Sequence, residues 1–167
     1  MKVEDTQALR FILQDELYLL DEDKSLYSSA PITQSEIQTQ QTVFNYLGSN
    51  KKNFLVLVRY SEHEFMKDEH LAALESVLGR LGYNRDDVAI LNLAKCDIAT
   101  HEEIVAYFTP GIMIILGQGA IPAGAGDLKF NTIEPKNSIK VLYTFSFDEM
   151  MADVTHKKAF WEQMKNL

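Results

Sequence analysis

Four compact apolar runs stand out in the later two-thirds of the chain, with helical spacing between them. Phe54-Leu55-Val56-Leu57-Val58, Val88-Ala89-Ile90-Leu91-Asn92-Leu93, Ile112-Met113-Ile114-Ile115-Leu116 and Ile139-Lys140-Val141-Leu142-Tyr143-Thr144 each have strand length. Runs apolar nearly end to end belong to strands covered on both faces. After the first run, Leu71, Leu74, Val77, Leu78 and Leu81 recur at spacings of three and four, with Asp68 as the expected cap and Gly82 as the left-handed stop. His101 to Phe108 predicts a second short helix, ended by Pro110. Thr155 is expected to cap a last helix that carries Phe160, Trp161, Met164 and Leu167 on one side. The stretch Gly117 to Gly126 reads mostly as turn, with a short helix starting at Ala120 and Ile121 as an option. Strands alternating with helices predict an α/β fold of three α/β/α layers around a mainly parallel, four-stranded central sheet.

The pattern before Asn53 is different. Leu9, Ile12 and Leu13 fit a short amphipathic helix from Asp5 or Thr6 to about Gln14, and Leu17 to Leu20 fit a short strand. Ser25 to Thr42 is rich in Ser, Thr and Gln, is interrupted by Pro31 and has no clear period, as in a long loop. Val43, Phe44, Tyr46 and Leu47 read as a helical turn that pins this run to the body. The chain thus divides into residues 1–50, with a helix, a short strand and a polar connection, and an α/β domain over residues 51–167. Composition leaves residues 1–50 as either a partner-binding arm or a further packed layer.

With 167 residues, 46% of them hydrophobic, the chain has material for one compact body plus a short segment. A net charge of -8 argues against holding duplex DNA chiefly by neutralising phosphates. The single cysteine, Cys96, excludes a disulfide within one chain and any cysteine-rich metal site made by one chain. No run reaches the roughly 18 to 20 apolar residues that span a bilayer, and the N-terminus has no signal-peptide core, so a cytoplasmic protein without membrane association is expected.

In parallel sheets ligands bind at the carboxyl ends of the strands, which singles out Arg59 to His63, Asn92 to Asp97, Gly117 to Ile121 and Phe145 to Asp148. Gly117-Gln118-Gly119 opens like a dinucleotide fingerprint, but Pro122 stands where the third glycine belongs. His63-Glu64 and His101-Glu102 lack the second histidine of a zinc-protease helix, because Lys67 and Val105 occupy that place. There is no Gly-x-Ser-x-Gly elbow. Cys96 follows a strand without a partner histidine that the sequence can place. No cofactor and no metal are expected.

Three blocks, in order, resemble the uracil-DNA glycosylase superfamily, especially its iron-sulfur branch. Leu74 to Cys96 is similar to a helix ending in a Leu-Gly step, a charged turn, and a strand closing in Asn-x-x-Lys-Cys. Pro110 to Ala120 resembles the family's strand running into Leu-Gly-x-x-Ala. Thr144 to Leu167 is similar to the Thr-Tyr-His-Pro-Ser element and the last helix with its Trp. The resemblance implies a glycosylase-like fold over roughly Asn53 to Leu167.

It also marks where the chemistry departs from the family. The family's glycine-rich loop is replaced by Arg59-Tyr60-Ser61-Glu62-His63, its histidine by Ser146, and its cluster ligands by Cys96 alone. Asn92 aligns with the residue that would bond the base edge. The pocket positions Tyr60, Ser61, Glu62, Asn92 and Ser146 are therefore degenerate. The resemblance implies a pseudoenzyme with no catalytic residues and no residual activity.

A family of this description is the psi subunit of bacterial DNA polymerase III holoenzyme. The chain resembles it in layout and in the ending Asp153-x-x-x-Lys157-Lys158-x-x-Trp161. That resemblance implies a replication accessory protein with protein partners, a clamp-loader subunit and a chi-like subunit, and weak or absent direct binding of nucleic acid. Leu9, Phe11, Ile12, Leu17, Tyr18 and Leu19 would anchor the clamp loader. The alternative is a divergent uracil-DNA glycosylase or other base-recognising repair enzyme, in which Glu62 activates water and Asn92 reads the base.

Overall fold

The computed structural model describes residues 43–96 and 99–167. The helix, strand and polar loop expected before Val43 lie outside the described residues, as do the anchor candidates Leu9, Phe11, Ile12, Leu17, Tyr18 and Leu19.

The described chain is α/β, with six strands and four helices. The strands are β1 (Tyr46–Gly48), β2 (Phe54–Val58), β3 (Val88–Asn92), β4 (Ile112–Leu116), β5 (Thr132–Lys136) and β6 (Ile139–Thr144). The helices are α1 (Asp68–Arg80), α2 (His101–Phe108), α3 (Phe147–Ala152) and α4 (Val154–Met164). The sheet order is β1-β3-β2-β4-β6-β5. The four apolar runs form its centre, where β3, β2, β4 and β6 pair in parallel. β1 and β5 pair antiparallel at the two edges, so the sheet is mixed and six-stranded instead of four-stranded.

Side-chain alternation explains the continuous apolar runs. Phe54, Val56 and Val58 of β2 join a core with Leu74 and Leu78 of α1 and with Phe147, Phe160 and Met164 of α3 and α4. Leu55 and Leu57 of the same strand face the opposite core, with Ile104 and Phe108 of α2. Helices thus cover both sides of the sheet, and every residue of β2 and β3 is buried. Period 2 in the backbone with water excluded from both faces leaves no apolar–polar alternation, and the one polar side chain in these two strands is Asn92 at the end of β3.

Several local expectations are corrected. Tyr46 to Gly48 is a strand, not a helical turn: its backbone pairs with Ala89 to Leu91, and Tyr46 and Phe44 pack on Phe108 with ring centroids 5.0 and 5.6 Å away. Asp68 is the first residue of α1 and not its cap, since Lys67 holds the capping position without a side-chain bond. The last helix is capped by Asp153, whose Oδ1 accepts from the Thr155 N–H at 2.7 Å. The turn after β4 begins with a short 3-10 helix over Gln118–Ala120, slightly before the expected start.

β5 has no apolar period to announce it. It is joined to β6 by Asn137-Ser138, both in the left-handed region at φ 48° and 69°, which is the geometry of a two-residue hairpin turn that follows the twist of the strands. Pro135 lies opposite Lys140, whose own N–H is donated the other way, to Gly111 O at 3.0 Å. The proline therefore occupies a position whose N–H would have pointed out from the edge, and its presence removes no bond of the ladder.

Candidate functional site

The carboxyl ends of β2, β3, β4 and β6 bring together Tyr60, Asn92, Gly117 and Ser146. Asn92 ends β3 and is buried. Its Oδ1 accepts from the Tyr60 N–H at 2.9 Å and from the Ala94 N–H at 3.1 Å. Its Nδ2 donates to the carbonyls of Tyr60, His63 and Glu64 at 2.8, 2.9 and 3.1 Å. A side-chain amide has two donor hydrogens and two acceptor positions, and all are engaged, with one hydrogen shared between two of the three carbonyls. The loop after β2 is thereby fixed to β3. Lys95 adds a further bond, donating from Nζ to Ser61 O at 2.8 Å. Cys96 is half-buried, and its thiol donates to the Asn92 carbonyl at 3.4 Å.

Tyr60 turns its ring toward α1. Its hydroxyl meets Nδ1 of the buried His70 at 2.7 Å, and the His70 ring stacks on Phe147 with centroids 5.5 Å apart. Asp148 Oδ1 stands 3.9 Å from His70 Nε2 and accepts from Lys67 Nζ at 2.8 Å. Burial pushes the His70 imidazole below its ordinary pKa, while nearby Asp148 acts in the opposite sense. Burial raises the Tyr60 phenol, followed by the Asp148 charge. The hydrogen bond from Lys67 holds the Asp148 carboxyl below its usual range. Both rings are thus neutral near pH 7 and share one hydrogen bond, whose direction is set by the imidazole tautomer. His70 was not singled out from the sequence, yet it stands four residues before Leu74 and eight before Leu78, on the stripe that α1 buries.

Ser146 follows β6 and caps α3. Its backbone N–H donates to Glu149 Oε2 at 2.7 Å, and its hydroxyl accepts from the Glu149 N–H at 3.3 Å. Gly117, at φ 85°, lies against it: a Cβ there would come within 2.9 Å of Ser146 Cβ. Gly119 packs on Arg59, where a Cβ would lie 3.2 Å from Cδ. The two glycines of the Gly-x-Gly step therefore accommodate neighbouring side chains. Glu62 is exposed.

A cavity of about 430 Å³ opens beside these strand ends, between Arg59, Leu93, Cys96, Ala99 and the Ile121 to Ala123 turn. Tyr60, Asn92 and Ser146 do not line it. Among the described residues no group of three or more His, Cys, Asp or Glu is placed to hold a metal ion, and no helix is long and apolar enough to cross a membrane. No protein-family model matches the chain, and no curated protein matches it.

Proposed function

We propose that the protein is a non-catalytic subunit that holds protein partners, a replication accessory protein similar to the psi family, on a body resembling the uracil-DNA glycosylase superfamily. One observation carries the non-catalytic half of this reading. The Asn92 amide, which the resemblance would set against a base edge, has its donors and its acceptor engaged by the backbone of Tyr60, His63, Glu64 and Ala94. A base would have to break those bonds to be read. Ser146, in the place of the family's histidine, holds a helix cap, and a neutral hydroxyl stabilises a departing uracil anion far less than an imidazole does.

Support for a protein partner comes from the charge of -8, which repels a phosphate backbone. The glycosylase-like body rests on the three sequence blocks, Leu74 to Cys96, Pro110 to Ala120 and Thr144 to Leu167. The replication role rests on the layout of the chain and on its Asp153-x-x-x-Lys157-Lys158-x-x-Trp161 ending.

Two experiments test the two halves. Full-length protein incubated with uracil-containing single- and double-stranded DNA is expected to release no uracil; release above an enzyme-free control would refute the non-catalytic reading. Full-length protein is expected to capture clamp-loader subunits of its own organism, and to lose them when Leu9, Ile12 and Leu17 are changed together to alanine. A failure of the unmodified chain to capture them removes the replication assignment.

A further inference from the structure

Away from the strand ends, a groove of about 280 Å³ lies between α1, α3 and α4, lined by Val77, Arg80, Met150, Met151, Lys157 and Trp161 among others. It is just below the range of about 300 to 1,000 Å³ typical of small-molecule pockets, and suits one or two bulky apolar side chains. Arg80 lies over the Trp161 ring with its guanidinium carbon 5.8 Å from the centroid, which leaves the edge of its fork available to an anion.

The cations of this groove differ from the others in the described chain. Lys51, Lys52, Lys67, Arg85, Lys129 and Lys165 each pair with a carboxylate. Arg59, Lys95, Lys136 and Lys140 each donate to a backbone carbonyl. Among the described residues, Arg80, Lys157 and the adjacent Lys158 have no oxygen partner. Of the carboxylates on the same helices, Glu75 is engaged with Arg85, Asp148 with Lys67, Glu149 with Ser146, Asp153 with Thr155 and Glu162 with Lys165, while Asp68 and Glu69 stand in the first turn of α1, at the opposite end of that helix from Arg80. A mostly apolar floor beside unpaired cations is complementary to one kind of ligand.

We propose that this groove docks an acidic segment of a protein partner, with a bulky apolar side chain seated between Val77, Met150 and Trp161 and its flanking carboxylates on Arg80 and Lys157. The site lies on residues 73–161 and so goes beyond the arm-based reading above, standing or falling without it. A nucleic acid would bind by stacking bases on Trp161, and Arg80 already lies over that ring. A lipid surface would need a broad basic face, and here the unpaired cations are three.

Trp161 is the only tryptophan of the chain, so its fluorescence reports occupancy of the groove directly. The probes are pooled synthetic peptides that combine Phe or Leu with Asp and Glu, beside pools in which Lys replaces the acids or Ala the apolar residue. The acidic apolar pool is expected to shift Trp161 emission saturably, and both control pools to fail. Arg80→Glu and Lys157→Glu are each expected to weaken binding roughly tenfold, with unchanged far-ultraviolet spectra. Arg80→Lys, which keeps the charge, is expected to lose less. The proposal is overturned by a flat response to the acidic pool, by an equal response to the basic one, or by charge-reversed variants that bind as before. A stronger response to a single-stranded oligonucleotide or to anionic phosphatidylglycerol vesicles would equally overturn it.

Discussion

Asn92 and Tyr60 exchange two hydrogen bonds across the ends of neighbouring parallel strands: the Tyr60 N–H donates to Asn92 Oδ1 at 2.9 Å, and Asn92 Nδ2 donates to Tyr60 O at 2.8 Å. One side chain thus performs the pairing that a continued ladder would have made. Asn92→Ala is expected to destabilise the fold by about 3 kcal/mol, since backbone groups at Tyr60, His63 and Glu64 lose their partner. Asn92→Asp keeps the shape but sets a carboxylate against three carbonyls, and is expected to be at least as damaging. Urea unfolding midpoints check both. A neutral or stabilising Asn92→Ala would mark the residue as one kept for a ligand at the expense of stability.

Acid is expected to weaken the protein through His70. Burial lowers its pKa from the ordinary 6.5, so between the lowered value and 6.5 the unfolded chain binds more protons than the folded one. Stability is therefore complete above that window and declines as pH falls through it. His101 is lowered too, first by burial and then by Lys136, and adds a slope of the same sign. The Asp148 carboxyl, held down by Lys67, acts lower, losing its contribution only as pH falls below its ordinary 3.8. Melting temperatures from about pH 7.5 to about 5.5 should fall less steeply in His70→Gln than in the parent. An identical slope would remove His70 as a cause.

Gly117 and Gly79 should respond to alanine with opposite signs. At Gly117, φ is 85° and a Cβ would press on Ser146 at 2.9 Å, so Gly117→Ala is expected to cost about 2 kcal/mol. Gly79 stands in α1, where a Cβ would meet nothing within 4 Å, and Gly79→Ala is expected to stabilise by about 0.5 to 1 kcal/mol. Thermal unfolding of the two variants side by side is the measurement. Equal effects would contradict the close approach at Gly117.

Ser138→Gly is expected to stabilise by about 1 kcal/mol. Ser138 sits at φ 69° in the hairpin turn between β5 and β6, a conformation that glycine adopts without strain. Chemical denaturation reads the gain directly. A loss would mean that the serine side chain stabilises the turn more than its backbone strains it.

Where burial on both faces imposed a pattern, the sequence carried it. The central strands and α2 follow from apolar runs and helical spacing, because two helical layers leave no polar position in β2, and none in β3 before its last residue, Asn92. β1 is three residues long, too short to show a period, and Thr132-Ile133-Glu134-Pro135-Lys136 alternates nothing clearly. β5 is fixed from outside its own residues, by the positive-φ pair Asn137-Ser138, and Asn-Ser signals such a turn less strongly than Asn-Gly. At the strand ends, Tyr60, Asn92 and Ser146 were legible as positions, through the rule that places ligands there. Their engagement with backbone was not, since it depends on a loop conformation that leaves no periodic trace. The unpaired state of Arg80 and Lys157 is likewise a property of what surrounds them in space.

Pro135 has a consequence for assembly. An outer strand that presents a row of free N–H groups is a template on which another chain can add a strand. On β5 that row lacks the N–H of Pro135, one of its two outward-facing positions, while Lys136, on the same strand, reaches back to the carbonyls of Ala125 and Asp127 at 3.2 and 2.6 Å. Growth of the sheet past β5 is therefore disfavoured. Recruitment of a partner from this side falls to side chains instead of the backbone ladder.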